Sequence, residues 1–195
     1  ITSSDSLKII TEKLLANQQS ILSQTQELNT PEQFDSAIQA IKNAKKVLIC
    51  ASGSSYTMAS DFAIKLQKLG IPALAHNDEM LNASFVATMG KDDLVIAISY
   101  SGKSTNILNV IKQADKNNCA VLTISRYGRN ALSDYANIEL STVSGEEPIK
   151  HSSVFVRTSQ SYIIDVLFIG ITQSNLHWQK RAERANEYMT ELRQA

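Results

Sequence analysis

Four hydroxyl side chains surround a single glycine in residues 99–105, which read Ser-Tyr-Ser-Gly-Lys-Ser-Thr. The apolar run 94–98 before this segment is too short for a helix and predicts a buried parallel strand. A helical pattern follows, and the first amide groups of a helix lack internal partners and lie at the positive end of the helix dipole. With Gly102 for close backbone approach and the charge of Lys103, this junction predicts an anion site suited to phosphate.

Helix capping is the alternative explanation for these hydroxyls, because Ser and Thr cap helices without any ligand. A cap uses one hydroxyl, whereas this segment offers several around one glycine. We therefore favour the phosphate site and keep capping as the alternative.

A second segment repeats the design earlier in the chain. The buried strand predicted at 47–51 runs into Ser52, Gly53, Ser54 and Ser55, and a helix follows. The carboxyl ends of parallel strands meet at one edge of an open α/β sheet, and ligands bind in the crevice there. The two hydroxyl-rich turns are therefore expected to line one site.

The alternation of apolar runs with helical patterns predicts an α/β protein. We expect a three-layer α/β/α domain with a five-stranded parallel, doubly wound (flavodoxin-like) sheet and extra N- and C-terminal helices. The predicted strands are 47–51, 71–76, 94–98, 119–124 and 137–140. The predicted helices are 5–28, 31–44, 58–69, 78–88, 106–116, 130–135, 154–171 and 177–195.

The first helix carries leucine or isoleucine at every seventh position, at Leu7, Leu14, Ile21 and Leu28. This period is typical of a helix that packs along a partner helix. Packing on its own domain and packing on a second copy both fit the pattern. We divide the chain into a linker and packing helix, 1–30, and a globular domain, 31–195.

Composition limits the classes of function. Nineteen basic and nineteen acidic residues leave no net charge, so this chain has little electrostatic basis for gripping nucleic acid by itself. No apolar run reaches the length of a membrane span and no signal peptide is visible. Cys50 and Cys119 fall at predicted strands and are expected to be free thiols in a reducing cytoplasm. His76 has no ligand partner at metal-binding spacing, so we expect neither metal nor cofactor.

Three segments resemble the SIS (sugar isomerase) phosphosugar-binding domain. They are 51–56 after the first strand, 98–104 after the third strand, and Ile-Asp-Val-Leu-Phe at 164–168 in the late helix. The resemblance covers residues 31–175 and is strongest to the C-terminal effector domain of RpiR-type transcriptional regulators. In that family an N-terminal helix-turn-helix domain binds DNA, and the SIS domain senses a sugar phosphate.

The resemblance implies that Ser99, Ser101 and Ser104 hold the phosphate, joined by Ser54 and Ser55. Together with the chemistry of the two turns and of a loop at 142–151, it gives the full set of predicted ligand-binding residues. These are Ser52, Gly53, Ser54, Ser55, Ser99, Tyr100, Ser101, Gly102, Lys103, Ser104 and Glu147. Two positions depart from the family pattern. Ala51 replaces a usual glycine and tightens the space near the ligand, and Asn106 replaces an acidic residue that is often present.

These features favour a sugar-phosphate sensor that reaches DNA only through a helix-turn-helix domain absent from this chain. A homodimer or homotetramer is expected, with no membrane partner. An aldose–ketose phosphosugar isomerase is the alternative, and it needs a positioned base. Its candidates are Glu146 or Glu147 with His151, although Glu147 in a sensor would instead bind a sugar hydroxyl. A dimerisation module without a ligand is the third possibility.

Overall fold

The computed structural model describes residues 1–143 and 152–194, which form five strands and seven helices. The strands are β1 (Val47–Ala51), β2 (Ala73–His76), β3 (Leu94–Ser99), β4 (Ala120–Arg126) and β5 (Ile138–Thr142). The helices are α1 (Leu7–Leu28), α2 (Pro31–Asn43), α3 (Ser55–Lys68), α4 (Glu79–Val86), α5 (Thr105–Lys116), α6 (Ser152–Gln173) and α7 (Leu176–Gln194).

The five strands form one parallel sheet in the order β2-β1-β3-β4-β5. The chain moves outward from β1 to β2 and then returns to add β3 on the other side of β1. The strand order therefore reverses between β1 and β3, where Cys50 lies beside Ala97 and Ala51 beside Ile98. This order confirms the predicted doubly wound sheet, and it places the binding crevice at the carboxyl ends of β1 and β3.

Alternate residues of the central strands feed two apolar cores, which explains the three layers. Val47 and Ile49 of β1 face a core shared with α2, α3 and α6. Leu48 and Cys50 face the opposite core, which is shared with α4 and α5. Because both faces are covered, all residues of β1 and β3 are buried.

Local sequence signals fix several helix starts. Thr30 accepts from the backbone amide of Gln33, and the Gln33 side chain accepts from the amide of Thr30, so α2 begins with a capping box. Asp78 caps α4 by accepting from the amide of Leu81 at 2.9 Å. The helix predicted over 130–135 is wrong, because those residues form hydrogen-bonded turns held by the side chain of Asn130.

The first helix packs on its own domain through its C-terminal half. Thr25 Oγ1 is 2.8 Å from Ser159 Oγ in α6, and the Asn29 side-chain amide both donates to and accepts from the backbone of Ser141 in β5. These groups are buried, whereas Leu7 and Leu15 of the N-terminal half are exposed. The two halves of α1 therefore have different surroundings.

The late helix α6 combines length with an apolar composition. Residues 154–173 are long and apolar enough, by length and composition, to cross a membrane. Phe155, Ile163, Leu167 and Ile171 are nevertheless buried within the domain. A core helix of this fold explains the composition, and Ile164 and Leu167 of the 164–168 segment belong to the same core as α2 and α3.

Candidate functional site

The two hydroxyl-rich turns lie side by side, because β1 and β3 are hydrogen-bonded neighbours with the same direction. Between the turns is an open cleft of about 370 Å³. Its walls come from both turns and from one residue of α6. The lining residues are Ser52, Ser54, Ser55, Ser99, Tyr100, Ser101, Lys103, Ser104 and Val156.

The first turn connects β1 to α3 through Gly53, whose φ of +59° is in the left-handed region that favours glycine. The amide of Tyr56 donates to the carbonyl of Gly53 at 3.1 Å, and the Thr57 hydroxyl donates to the carbonyl of Ser54 at 2.6 Å. These bonds use backbone carbonyls as acceptors. They leave the Ser54 side chain available to the cleft.

The second turn connects β3 to α5 through Gly102, which has a φ of +64°. The amide of Gly102 donates to the carbonyl of Ser99 at 3.2 Å, and the amide of Lys103 donates to Ser101 Oγ at 3.3 Å. A Cβ at Gly102 would lie 2.1 Å from Oδ1 of Asn130. Glycine is required here both by the backbone angle and by the neighbouring side chain.

Helix capping does not occupy the hydroxyls at the two helix starts. Ser54 is the N-cap residue of α3 and Ser104 is that of α5, yet neither side chain makes a capping hydrogen bond. The first-turn amides of both helices lack intrahelical partners as well. The cleft therefore has serine hydroxyls that cap no helix, and they lie beside the amides of two helix starts.

The charge in the cleft is positive. Of its lining residues Lys103 is the one with a formal charge near neutral pH, and no carboxylate or imidazole belongs to that described set. The helix dipoles of α3 and α5 add partial positive charge at the same place. Such surroundings suit an anion.

The structure brings eight of the eleven predicted ligand-binding residues to this cleft. Gly53 and Gly102 shape the turns behind it, and Glu147 lies outside the described residues, as do Glu146 and His151. That these residues bind a ligand stays a prediction. The isomerase hypothesis depends on the residues of that same loop.

Three residues at or near the cleft are not among the predicted ligand-binding residues. Val156 lines it, Gln160 is buried behind the first turn, and Asn130 packs against Gly102 behind the second. Val156 and Gln160 are four residues apart and share one face of α6. Gln160 lies in the polar run 157–161, so its type gives no signal, and only the packing of α6 places it at the turn.

The cysteines have no reactive character. Burial raises the pKa of the Cys50 thiol to about 12, and burial together with the negative charge of Asp93 raises that of Cys119 to about 11. Both remain protonated near neutral pH and act as small apolar side chains.

A sequence model of the SIS domain family matches residues 40–170, which is more than half of the chain. Together with the sheet order and the paired turns, this match defines the class of protein. The chain belongs to the SIS domain family.

Solved structures of the same fold include regulators and an enzyme. The Vibrio vulnificus NanR protein complexed with ManNAc-6P is 18% identical, with a TM-score of 0.88 over 94% of this chain and 70% of that chain. The sugar isomerase domain of an RpiR transcription factor from Sphaerobacter thermophilus is 18% identical, with a TM-score of 0.82 over 93% and 98%. A phosphoheptose isomerase from Francisella tularensis is 24% identical, with a TM-score of 0.72 over 87% and 100%. At these identities the likeness establishes the fold.

Proposed function

We propose that this chain is the sugar-phosphate-sensing effector domain of a transcriptional regulator of carbohydrate metabolism. The observation that carries the proposal is the cleft between the two turns. There, hydroxyls from two helix starts are not used as caps and surround the cationic Lys103. A phosphate dianion matches the positive charge and the donors, and a sugar attached to it would extend into the open part of the cleft.

The energetics of such a site suit a metabolite sensor. Hydrogen bonds to a charged group contribute roughly 1.5–3 kcal/mol each before desolvation and ordering costs are subtracted. Several of them support micromolar to millimolar affinity, which corresponds to about −8 to −4 kcal/mol. Sensing then requires only that the ligand bind one arrangement of the protein better than another.

The structural comparisons support a sensor over an isomerase. Aldose–ketose isomerisation moves a proton between adjacent carbons and needs a positioned base. Its candidate bases, Glu146, Glu147 and His151, lie outside the described residues, and the Glu147→Gln variant below tests one of them. The NanR and RpiR structures have higher TM-scores than the phosphoheptose isomerase.

The remaining parts of the proposal concern partners. The chain has no net charge, so we assign DNA binding to a helix-turn-helix domain outside it. The exposed leucines at Leu7 and Leu15 of α1 support a homodimer or homotetramer. The free thiols Cys50 and Cys119 suit the reducing cytoplasm.

A thermal-shift panel tests the binding proposal. Glucose 6-phosphate, fructose 6-phosphate, ribose 5-phosphate and ManNAc-6P are each compared with the matching sugar without phosphate. We expect at least one phosphorylated sugar to raise the melting temperature at millimolar concentration, because a ligand that binds only the folded state stabilises it. The double variant Ser99→Ala/Ser101→Ala should lose the shift, and Ser36→Ala, an exposed serine on α2, should keep it.

The other outcomes of the panel separate the alternatives. No shift with any phosphorylated sugar contradicts the binding proposal and favours the dimerisation module. NMR of each ligand that binds tests for isomerisation. Turnover that disappears in Glu147→Gln would establish the enzyme in place of the sensor.

A further inference from the structure

A buried amide lies directly behind the first turn. Gln160 of α6 is fully buried, and its Nε2 donates to Oγ of Ser55, the first residue of α3, at 3.0 Å. Its Oε1 is buried too, without a hydrogen-bond partner among the described residues. Ser55 lines the cleft, whereas Gln160 is sealed from solvent and does not. Any effect of Gln160 on a ligand must therefore pass through Ser55.

The contact determines how Ser55 can use its hydroxyl group. A serine hydroxyl has one proton to donate and two lone pairs to accept with. The Gln160 N–H occupies a lone pair, and Ser55 Oγ has no second partner within the described chain. The hydroxyl proton therefore stays available for the cleft. Phosphate oxygens are acceptors, so a serine held in this way presents what a phosphate needs.

If position 160 served only to fill space in the core, glutamine would be a less stable choice than an apolar residue. Residues 157–161 are polar, but the residues one turn away on the same buried face of α6 are apolar: Val156 before Gln160, and Ile163 and Ile164 after it. Methionine or leucine would fill a similar volume without leaving an amide oxygen unpaired, and an unpaired buried acceptor destabilises the folded state. The amide group thus has a use beyond filling space.

We propose that Gln160 is a positioning residue that holds Ser55 as a hydrogen-bond donor to the phosphate group of the ligand. The inference rests on the proposed function and deepens it. It also separates the roles of the serines, because Gln160 bonds Ser55 Oγ while the hydroxyls of Ser54 and Ser104 make no capping bond at their helix starts.

A double-mutant cycle tests the proposal, with inorganic phosphate as the probe and its dissociation constant measured by NMR titration. Ser55→Ala should weaken phosphate binding about tenfold, because one charge-assisted hydrogen bond is lost. Gln160→Met should weaken it about threefold to tenfold. The double variant should bind as Ser55→Ala does, because Gln160 acts only through Ser55.

A neighbouring serine on α6 provides the matched control. Ser159 is also buried, but its hydroxyl bonds Thr25 Oγ1 of α1 and accepts from the amide of Val143 after β5, and it makes no bond to the first turn. Ser159→Ala should lower the melting temperature without changing the dissociation constant for phosphate. A general loosening of α6 would instead weaken binding in both variants.

The outcomes distinguish this inference from the proposed function. If the unmodified chain binds phosphate but Gln160→Met binds it equally well, or the double variant loses the sum of both single effects, the inference is wrong. If the unmodified chain binds neither phosphate nor any phosphorylated sugar of the panel, the proposed function itself is contradicted.

A second measurement does not depend on the folding of a Gln160 variant. In the unmodified chain, the Gln160 side-chain NH₂ resonances should shift as phosphate is added, and in Ser55→Ala they should not. An unchanged Gln160 signal at saturating phosphate would overturn the inference.

Discussion

The two turns of the cleft share a sequence design but have different supports. The β1–α3 turn has open space around Gly53 and is backed by the buried Gln160. The β3–α5 turn has Gly102 pressed against Asn130, and it carries the cation Lys103. In the first turn the glycine has open space beside it and the Ser55 hydroxyl is hydrogen-bonded by Gln160. In the second turn the glycine is in contact with a side chain, and a lysine supplies positive charge.

This difference teaches that a repeated motif does not imply a repeated environment. The support for the first turn comes from α6, more than a hundred residues later in the chain. The support for the second comes from the connection between β4 and β5, where Asn130 bonds Ser125 Oγ and the amide of Leu132. Substitutions at matching positions of the two turns should therefore have unequal effects.

The largest difference is expected between the two glycines. Gly102→Ala should lower the free energy of unfolding by about 3 kcal/mol, because it adds a positive-φ penalty to a clash with a hydrogen-bonded side chain. Gly53→Ala has only the backbone penalty of about 1 kcal/mol, since nothing lies near its Cβ. Urea unfolding measures both, and equal losses would show that Asn130 does not restrict the second turn.

The strands that lead into the turns differ in their response to alkaline pH. The pKa of Cys50 is raised by burial to about 12 in the folded protein, against about 8.5 for an unfolded thiol. The folded state keeps the neutral thiol, so its stabilisation is complete below about pH 8.5 and is lost progressively as the pH rises toward 12. At pH 10 the loss should be about 2 kcal/mol.

Ala97 stands beside Cys50 in β3 and has no such group, so Cys50→Ala makes the two strands alike at this register. The slope of unfolding free energy between pH 8.5 and 10 should become shallower in this variant, whatever its stability at pH 7. An unchanged slope would assign the alkaline loss to other groups.

The second turn should contribute to ligand affinity through the positive charge of Lys103, which the first turn lacks. Lys103→Met should weaken binding of a phosphorylated sugar about tenfold, which is about 1.4 kcal/mol, and should reduce its dependence on salt. Lys116→Met removes a lysine from the other end of α5 and should leave the affinity unchanged. Isothermal calorimetry at two salt concentrations makes the comparison, and equal effects of the two substitutions would argue against an anion between the turns.

The smallest effect concerns how the helix of the first turn is attached. Lys65 of α3 bonds Asp61 of the same helix and also Asp165 of α6. Burial lowers the pKa of Lys65, but these bonds outweigh it and leave the pKa raised. Asp165→Asn should cost about 0.5 kcal/mol, because half-exposed ion pairs contribute little. A loss above 2 kcal/mol in thermal unfolding would mean that this pair is the main attachment of α3.

The sequence predicted the parts of the site that are local. Strand β1 was placed over its full length at 47–51, and both turns fell at strand ends, because strand burial and turn chemistry are written in neighbouring residues. The first turn was less accurate. The predicted helix began at 58, whereas α3 begins at Ser55, so a residue assigned to the loop is part of the first helical turn.

The unpredicted parts depend on distant contacts. Asn130 was placed in a short helix because of its neighbours, yet its side chain holds a turn and packs under Gly102. Gln160 is one of five consecutive polar residues, 157–161, and the sequence does not reveal which of them is buried at the first turn. Periodicity reports which face of an element is buried, but it does not report which residue of another element meets that face.

By itself, the sequence determined the α/β class, the order of the elements and the two hydroxyl-rich turns, because each depends on a few consecutive residues and their hydrogen-bonding needs. The tertiary structure alone decided that the turns share one cleft, that Asn130 closes the space at Gly102, and that Gln160 directs the hydroxyl of Ser55. Those three facts depend on sheet order and helix packing, which bring together residues far apart in the chain.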